Sequence, residues 1–175
     1  MPSIRARLFN LVVSLIVKRH DWGKDEYELA NRARRIFGAP RISQWLAART
    51  VNISRIAQDE ITGEWLKADG CDTSATIMYI HGGGYVSCSP RTHRPITAAL
   101  ARMTRLPVFA ADYRLAPESR FPAAVNDVYT AYKWLSAHNN GKPIILAGDS
   151  AGGGLALALA LKLRETGEQM PACIG

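Results

Sequence analysis

Two short stretches hold the residue types that chemistry needs. Gly148-Asp149-Ser150-Ala151-Gly152 places a serine in a G-x-S-x-G frame between an apolar run, residues 143–147, and a helix-forming run. A strand turning sharply into a helix forces its turn residue into a strained backbone conformation, and small neighbours let the chain pass. The Ser150 hydroxyl is then held out at a sheet edge, beside a helix N-terminus whose amides favour developing negative charge. Such a hydroxyl is placed to attack a carbonyl carbon. The competing reading is a serine that merely caps the helix, a common arrangement.

The second stretch is His81-Gly82-Gly83-Gly84-Tyr85, which also follows an apolar run, residues 75–80. Glycines without side chains can turn their amides toward an approaching oxygen, as an oxyanion hole requires. A plain flexible turn would use the same letters. A dinucleotide loop is a further rival, since Gly82-x-Gly84-x-x-Ser87 nearly matches G-x-G-x-x-G. Ser89-Pro90 interrupts the helix that fingerprint must open, and no acidic residue follows at the expected distance.

Positioning these loops requires alternating strands and helices, and the pattern supplies them. Helices are expected over residues 4–19 and 26–37, the second ended by Gly38 and Pro40. Residues 51–56 and 61–66 read as a hairpin. Buried strands follow at 75–80, 107–111 and 143–147, with helices at 95–104 and 123–138, the latter stopped by Asn139-Asn140-Gly141. Leu155 to Leu161 alternates leucine and alanine, both strong helix formers, so it reads as a buried helix that is apolar all round. Continuous apolar strands between helices imply a mostly parallel sheet flanked by helices, an α/β architecture.

The 47% apolar content over 175 residues can build a core. The longest apolar stretch, residues 151–161, falls short of the ~18 residues a spanning helix needs. Of the formal charge of +7, residues 1–50 hold +6, with 10 Lys/Arg against 4 Asp/Glu. This excess flanks an apolar 3–4 pattern at Leu8, Leu11, Val12, Leu15 and Ile16, which is not the aromatic-interleaved face of a nucleic-acid reader. No small-residue cleavage site supports a signal peptide. A helix packed on the rest of the chain as part of a lid, or a helix lying on an anionic membrane surface, both remain. Cys71, Cys88 and Cys173 imply no disulfide framework and suit a reducing cytoplasm. Cys71, His81, Cys88 and His93 lack metal-ligand spacing, so neither a metal nor a cofactor is expected.

HGGGY and GDSAGG occur with Asp112-Tyr113-Arg114-Leu115-Ala116-Pro117-Glu118 and Phe121-Pro122-Ala123-Ala124 between them. In that order the motifs resemble the hormone-sensitive-lipase family of esterases, of α/β-hydrolase fold, over about residues 50–165. The resemblance implies a carboxylic-ester hydrolase acting on small-molecule, short-acyl esters without a cofactor. Ser150 would be the acylated nucleophile, and the amides of Gly82, Gly83 and Ala151 the oxyanion hole. Asp149 and His81 would orient the two loops, Arg114 and Glu118 would brace the loop after their strand, and Asp127 reads as a bracing carboxylate. Residues 1–50 then form an N-terminal helical cap segment, and residues 51–175 the N-terminal part of the hydrolase domain.

A serine hydroxyl needs a base, and in this fold the triad runs Ser, then Asp or Glu, then His. After Ser150 only Glu165 and Glu168 are acidic and no histidine follows; His20, His81, His93 and His138 all precede it. The fold is therefore expected to be incomplete at the C-terminus, with residues 172–174 opening a further strand. Weak or no turnover is expected unless His81, His93 or His138 substitutes as base. A non-catalytic binding or membrane-surface module is the alternative function.

Overall fold

The structure, a computed structural model, describes Leu11, residues 25–58 and residues 60–175. The helix expected over residues 4–19 lies outside these. Helix α1 (Glu26–Ile36) is capped by the Asp25 carboxylate, and α2 (Arg41–Ala48) follows after Pro40. The chain continues through β1 (Asn52–Gln58), β2 (Ile61–Lys67), β3 (Thr76–Ile80), α3 (Arg94–Thr104), β4 (Val108–Ala111) and α4 (Ala123–His138). It ends with β5 (Ile144–Gly148), α5 (Ala151–Glu165) and β6 (Cys173–Ile174). α2 was not marked out as an element of its own by the sequence pattern, because its large apolar residues do not face the core.

The six strands form one sheet in the order β1-β2-β4-β3-β5-β6. β1 and β2 pair antiparallel as expected, and β2 joins β4 antiparallel, while β4, β3, β5 and β6 run parallel. The architecture is a mostly parallel sheet flanked by helices, as the resemblance to α/β hydrolases implies. Period-two alternation along β3 feeds both faces. Met78 and Ile80 join Phe109, Val128, Leu135, Leu155 and Leu159 under α4 and α5. Ile77 and Tyr79 join Val108, Ala98 and Ala101 under α3.

One expectation fails in α5. Leu155, Leu159 and Leu163 are buried at helical spacing, but Leu157 and Leu161 face outward and are more than half or half exposed. Only one side of this helix meets the sheet and α4, so its apolar character exceeds what the fold buries. Among the described residues, no helix is long and apolar enough to cross a membrane.

Candidate active site

β3 and β5 are parallel neighbours in register, with Ile80 opposite Gly148. The loops leaving their C-terminal ends, 68 positions apart, therefore emerge side by side. At the first of these ends the chain reaches His81 and the glycine run. At the second it reaches Asp149 and Ser150.

Ser150 sits between β5 and α5 at φ 50°, ψ −118°, a backbone region that L-residues rarely occupy. It holds the N-cap position of α5, yet its side chain makes no capping bond and is exposed. The simple-cap reading therefore fails, since a capping serine turns its oxygen back onto the helix amides. The turn depends on close backbone approach: a Cβ on Gly152 would lie 2.0 Å from the Ile80 carbonyl oxygen.

The glycine loop is held by its own backbone. Gly83 has φ 118°, and a Cβ there would stand 2.2 Å from the Ser87 carbonyl oxygen. Its carbonyl accepts from the Val86 and Ser87 amides and from the Ser87 hydroxyl at 2.7 Å. Among the described residues, no acceptor engages the N–H of Gly83, Gly84 or Ala151. Gly83, Gly84, Asp149 and Ser150 line one cleft of about 500 Å³ together with Phe37, His93 and Ile96. Gly82 is placed otherwise than expected. Its N–H donates to Asp149 Oδ1 at 2.9 Å, and it is absent from the cleft lining, so its amide is already spent on the loop's anchorage.

Asp149 is the joint between the two loops. Its Oδ1 also accepts from the Tyr79 hydroxyl at 2.7 Å, and His93 Nε2 lies 3.4 Å away. Burial pushes this carboxyl up, but the bonds from Tyr79 and Gly82 and the His93 imidazole outweigh it, holding the group below its ordinary range. The Tyr79 phenol is raised, by burial first and then by the Asp149 carboxylate.

His81 is sealed, 1% exposed, and stacked on Tyr113 at 4.3 Å between centroids. Burial pushes its pKa down to about 4, so the ring is neutral at neutral pH. Nδ1 lies 2.7 Å from the Gly82 carbonyl, which only accepts, so Nδ1 carries the proton. Nε2 is buried, without a partner among the described residues. The Tyr113 hydroxyl donates to the His81 carbonyl at 2.7 Å, fixing the start of the loop from below.

The other described histidines are engaged too. His93 faces Asp149, and His138 closes α4 with Nδ1 2.8 Å from the Trp134 carbonyl. His20 lies outside the described residues. Among the described residues, no histidine bonds to Ser150. Arg114 clasps the Asp127 carboxylate through its amide at 2.8 Å and its guanidinium at 2.6 Å. Glu118 instead pairs with Arg34 of α1 at 2.7 Å, and this bond drives the Glu118 carboxyl down to about 2. Arg34 also donates to the carbonyls of Val86 and Ala116, so it ties α1 to the loops after β3 and β4.

Comparison with known proteins accords with this arrangement. The family described as alpha/beta hydrolase fold matches residues 77–175, more than half of the chain. Hormone-sensitive lipase of Mus musculus is 38% identical over 102 residues, covering 55% of this chain and 13% of that protein. The chain belongs to the hormone-sensitive-lipase family of α/β hydrolases. A crystal structure of a hormone-sensitive lipase from a metagenome library superposes with a TM-score of 0.77 at 34% identity, covering 96% of this chain and 55% of that one. Carboxylesterase/phospholipase LipF of Mycobacterium tuberculosis (strain ATCC 25618 / H37Rv) is 38% identical over 136 residues, covering 77% of this chain and 36% of that protein. The chain thus spans about a third of the length of that carboxylesterase and just over half of the crystal structure's chain.

Several residues of this family member's site escaped the sequence pattern. Tyr79 had a readable signal: a phenol inside an otherwise apolar buried strand must find a hydrogen-bond partner. Arg34 had none, because its partners lie 52 to 84 positions away.

Proposed function

We propose that this chain is a serine carboxylic-ester hydrolase, acting on short-acyl esters through Ser150. The observation that carries the reading is an uncapped, exposed Ser150 hydroxyl, held at positive φ in the same cleft as the unengaged amide-bearing residues Gly83 and Gly84. In the first step the Ser150 Oγ–carbon bond forms and the carbonyl π electrons move onto oxygen. The amides of Gly83, Gly84 and Ala151 are the donors offered to that oxyanion, with Gly84 taking the place the sequence had given to Gly82. With the Ser150 proton passed through solvent to the leaving oxygen, collapse expels the alcohol and leaves an acyl-enzyme, which water then cleaves. Asp149 and His81 act by position: one ties the glycine loop to the nucleophile turn, the other supports that loop from beneath. Residues 1–50 serve as a cap segment and residues 51–175 carry the hydrolase elements. The free thiols of Cys71, Cys88 and Cys173 suit a cytoplasmic location.

The Ser150 proton needs an acceptor, and none of the described histidines is disposed to take it. The rest of such a site supplies only ~10³–10⁴-fold over water when a triad member is lacking. The chain is therefore assigned weak turnover. The same observation favours a second reading, a binding module that keeps the cleft without the chemistry. Incubation with a fluorophosphonate, followed by peptide mass spectrometry, separates the two. Slow labelling confined to Ser150 and absent in Ser150→Ala supports the hydrolase. No labelling, with ester ligands still bound, supports the module. Rapid turnover of p-nitrophenyl acetate abolished by the substitution would require a base not assigned above.

A further inference from the structure

Helix α2 is built inside out. Its inward side carries Gln44, which is buried and donates from Nε2 to the Ala39 carbonyl at 2.6 Å, and Ala47, which packs beside Val51 and Leu66. Ile42, Trp45, Leu46 and Arg49 share the opposite side at i, i+3, i+4 and i+7. Ile42 is 68% exposed, Trp45 54% and Leu46 53%. Phe37, just before the helix, is 51% exposed. A contiguous set of large exposed apolar side chains on a soluble surface marks an interaction site.

Along the chain, the charges flanking this set are of one sign. From Asn31 to Gln58 the chain has six arginines and no acidic residue. Arg32, Arg34 and Arg55 are paired with Glu28, Glu118 and Glu64. Among the described residues, Arg35, Arg41 and Arg49 meet no carboxylate, and Arg49 instead lies 4.7 Å over the Trp45 ring. Neither Ile42, Trp45 nor Leu46 lines the Ser150 cleft or the apolar cleft beyond Tyr85. Each is more than half exposed, which suits insertion into a soft medium better than reception of a peptide. Tryptophan with flanking arginines is the composition that settles at a water–lipid boundary, and arginines are drawn to anionic headgroups.

We propose that α2, together with Phe37, is a peripheral docking surface for anionic lipid bilayers. The reading is independent of Ser150 being a nucleophile. It has a consequence for access, because Phe37, Gly38 and Ala39 wall the Ser150 cleft and immediately precede α2. Docking through α2 holds that wall of the cleft against the lipid surface.

The test uses the full chain with phosphatidylcholine vesicles, with and without phosphatidylglycerol. Sedimentation with the phosphatidylglycerol vesicles alone, weakening as salt rises, is the expected result. The double variant Arg41→Gln/Arg49→Gln is expected to lower partitioning roughly thirty-fold, about five-fold per arginine. Ile42→Ser/Leu46→Ser should lower it as well, with an unchanged far-ultraviolet spectrum because both side chains lie outside the core. Quenching by brominated lipid should be reduced in Trp45→Phe, which isolates that ring from the other tryptophans. Equal binding to both vesicle types, or binding unaffected by the α2 variants, overturns the proposal. Self-association without vesicles that Ile42→Ser/Leu46→Ser abolishes also overturns it, in favour of a second copy as the occupant.

Discussion

Replacing Asp149 with alanine tests the joint between the two loops. The substitution removes the acceptor of the Tyr79 hydroxyl, on a residue 3% exposed, and of the buried Gly82 amide. A buried donor left without a partner costs about 1–3 kcal/mol. The Asp149 side chain is 41% exposed, so water can reach the vacated space and the lower half of that range applies. Two orphaned donors then destabilise the fold by about 2–4 kcal/mol, a sizeable share of the ~5–15 kcal/mol a domain holds. Urea melts followed by circular dichroism read this directly, and thermal melts should fall by about 5–15 °C. Asp149→Asn keeps an oxygen facing both donors and should recover at least half the loss. The charge adds a pH signature. The folded carboxyl lies below its ordinary value, so its contribution is present above the unfolded pKa of about 3.9 and is lost as pH falls through the lower folded value. The gap between wild type and Asp149→Ala should therefore narrow below pH ~4. An alanine variant within ~0.5 kcal/mol of wild type, or an asparagine variant equally damaged, would refute the assignment of Asp149 as the joint.

Four further outcomes follow from the site. Ser150→Gly should raise stability by about 1 kcal/mol in the same melts while abolishing phosphonate labelling, because glycine accepts the φ of 50° without strain. Between pH 6.5 and about 4 the buried, neutral His81 must resist protonation that the unfolded chain accepts, so stability present above pH ~6.5 declines as pH falls toward 4. The decline amounts to roughly 3 kcal/mol, and His81→Phe should flatten that part of the profile. Gly152→Ala drives a methyl to 2.0 Å from the Ile80 carbonyl and should cost more than ~3 kcal/mol or prevent folding. Gly153→Ala one position on meets nothing closer than 3.4 Å, and melts of that variant should show a gain of up to ~1 kcal/mol.

The parts of the fold legible in the sequence are those whose cause is local. β3, β4 and β5 are short β-prone runs set off by turn signals, and α4 is ended where Asn139-Asn140-Gly141 forbids it to continue. The glycine loop and the Ser150 turn were readable for the same reason, since their composition answers to nearby backbone geometry. What stayed hidden depends on distant pairings. That Gly82 spends its amide on Asp149, 67 positions away, follows only once β3 and β5 lie side by side. α2 was obscured because its apolar pattern faces outward, where the usual inference from hydrophobicity to burial reverses. The outward leucines of α5 misled for that reason too.

The register of β3 against β5 also sets where this protein can tolerate change in length. Ile80 and Gly148 face each other at the last rung of that pairing, and the glycine loop and the Ser150 turn are continuations of it. Adding or losing one residue inside either strand would slide one loop past the other and turn its side chains to the opposite face. The connections on the far side, such as residues 139–143 between α4 and β5, make no part of the cleft lining. Insertions there, or a tag or fluorophore, should leave Ser150 and the glycine loop in place. Length is thus constrained rung by rung in two five-residue strands, while the connection at residues 139–143 remains open to editing.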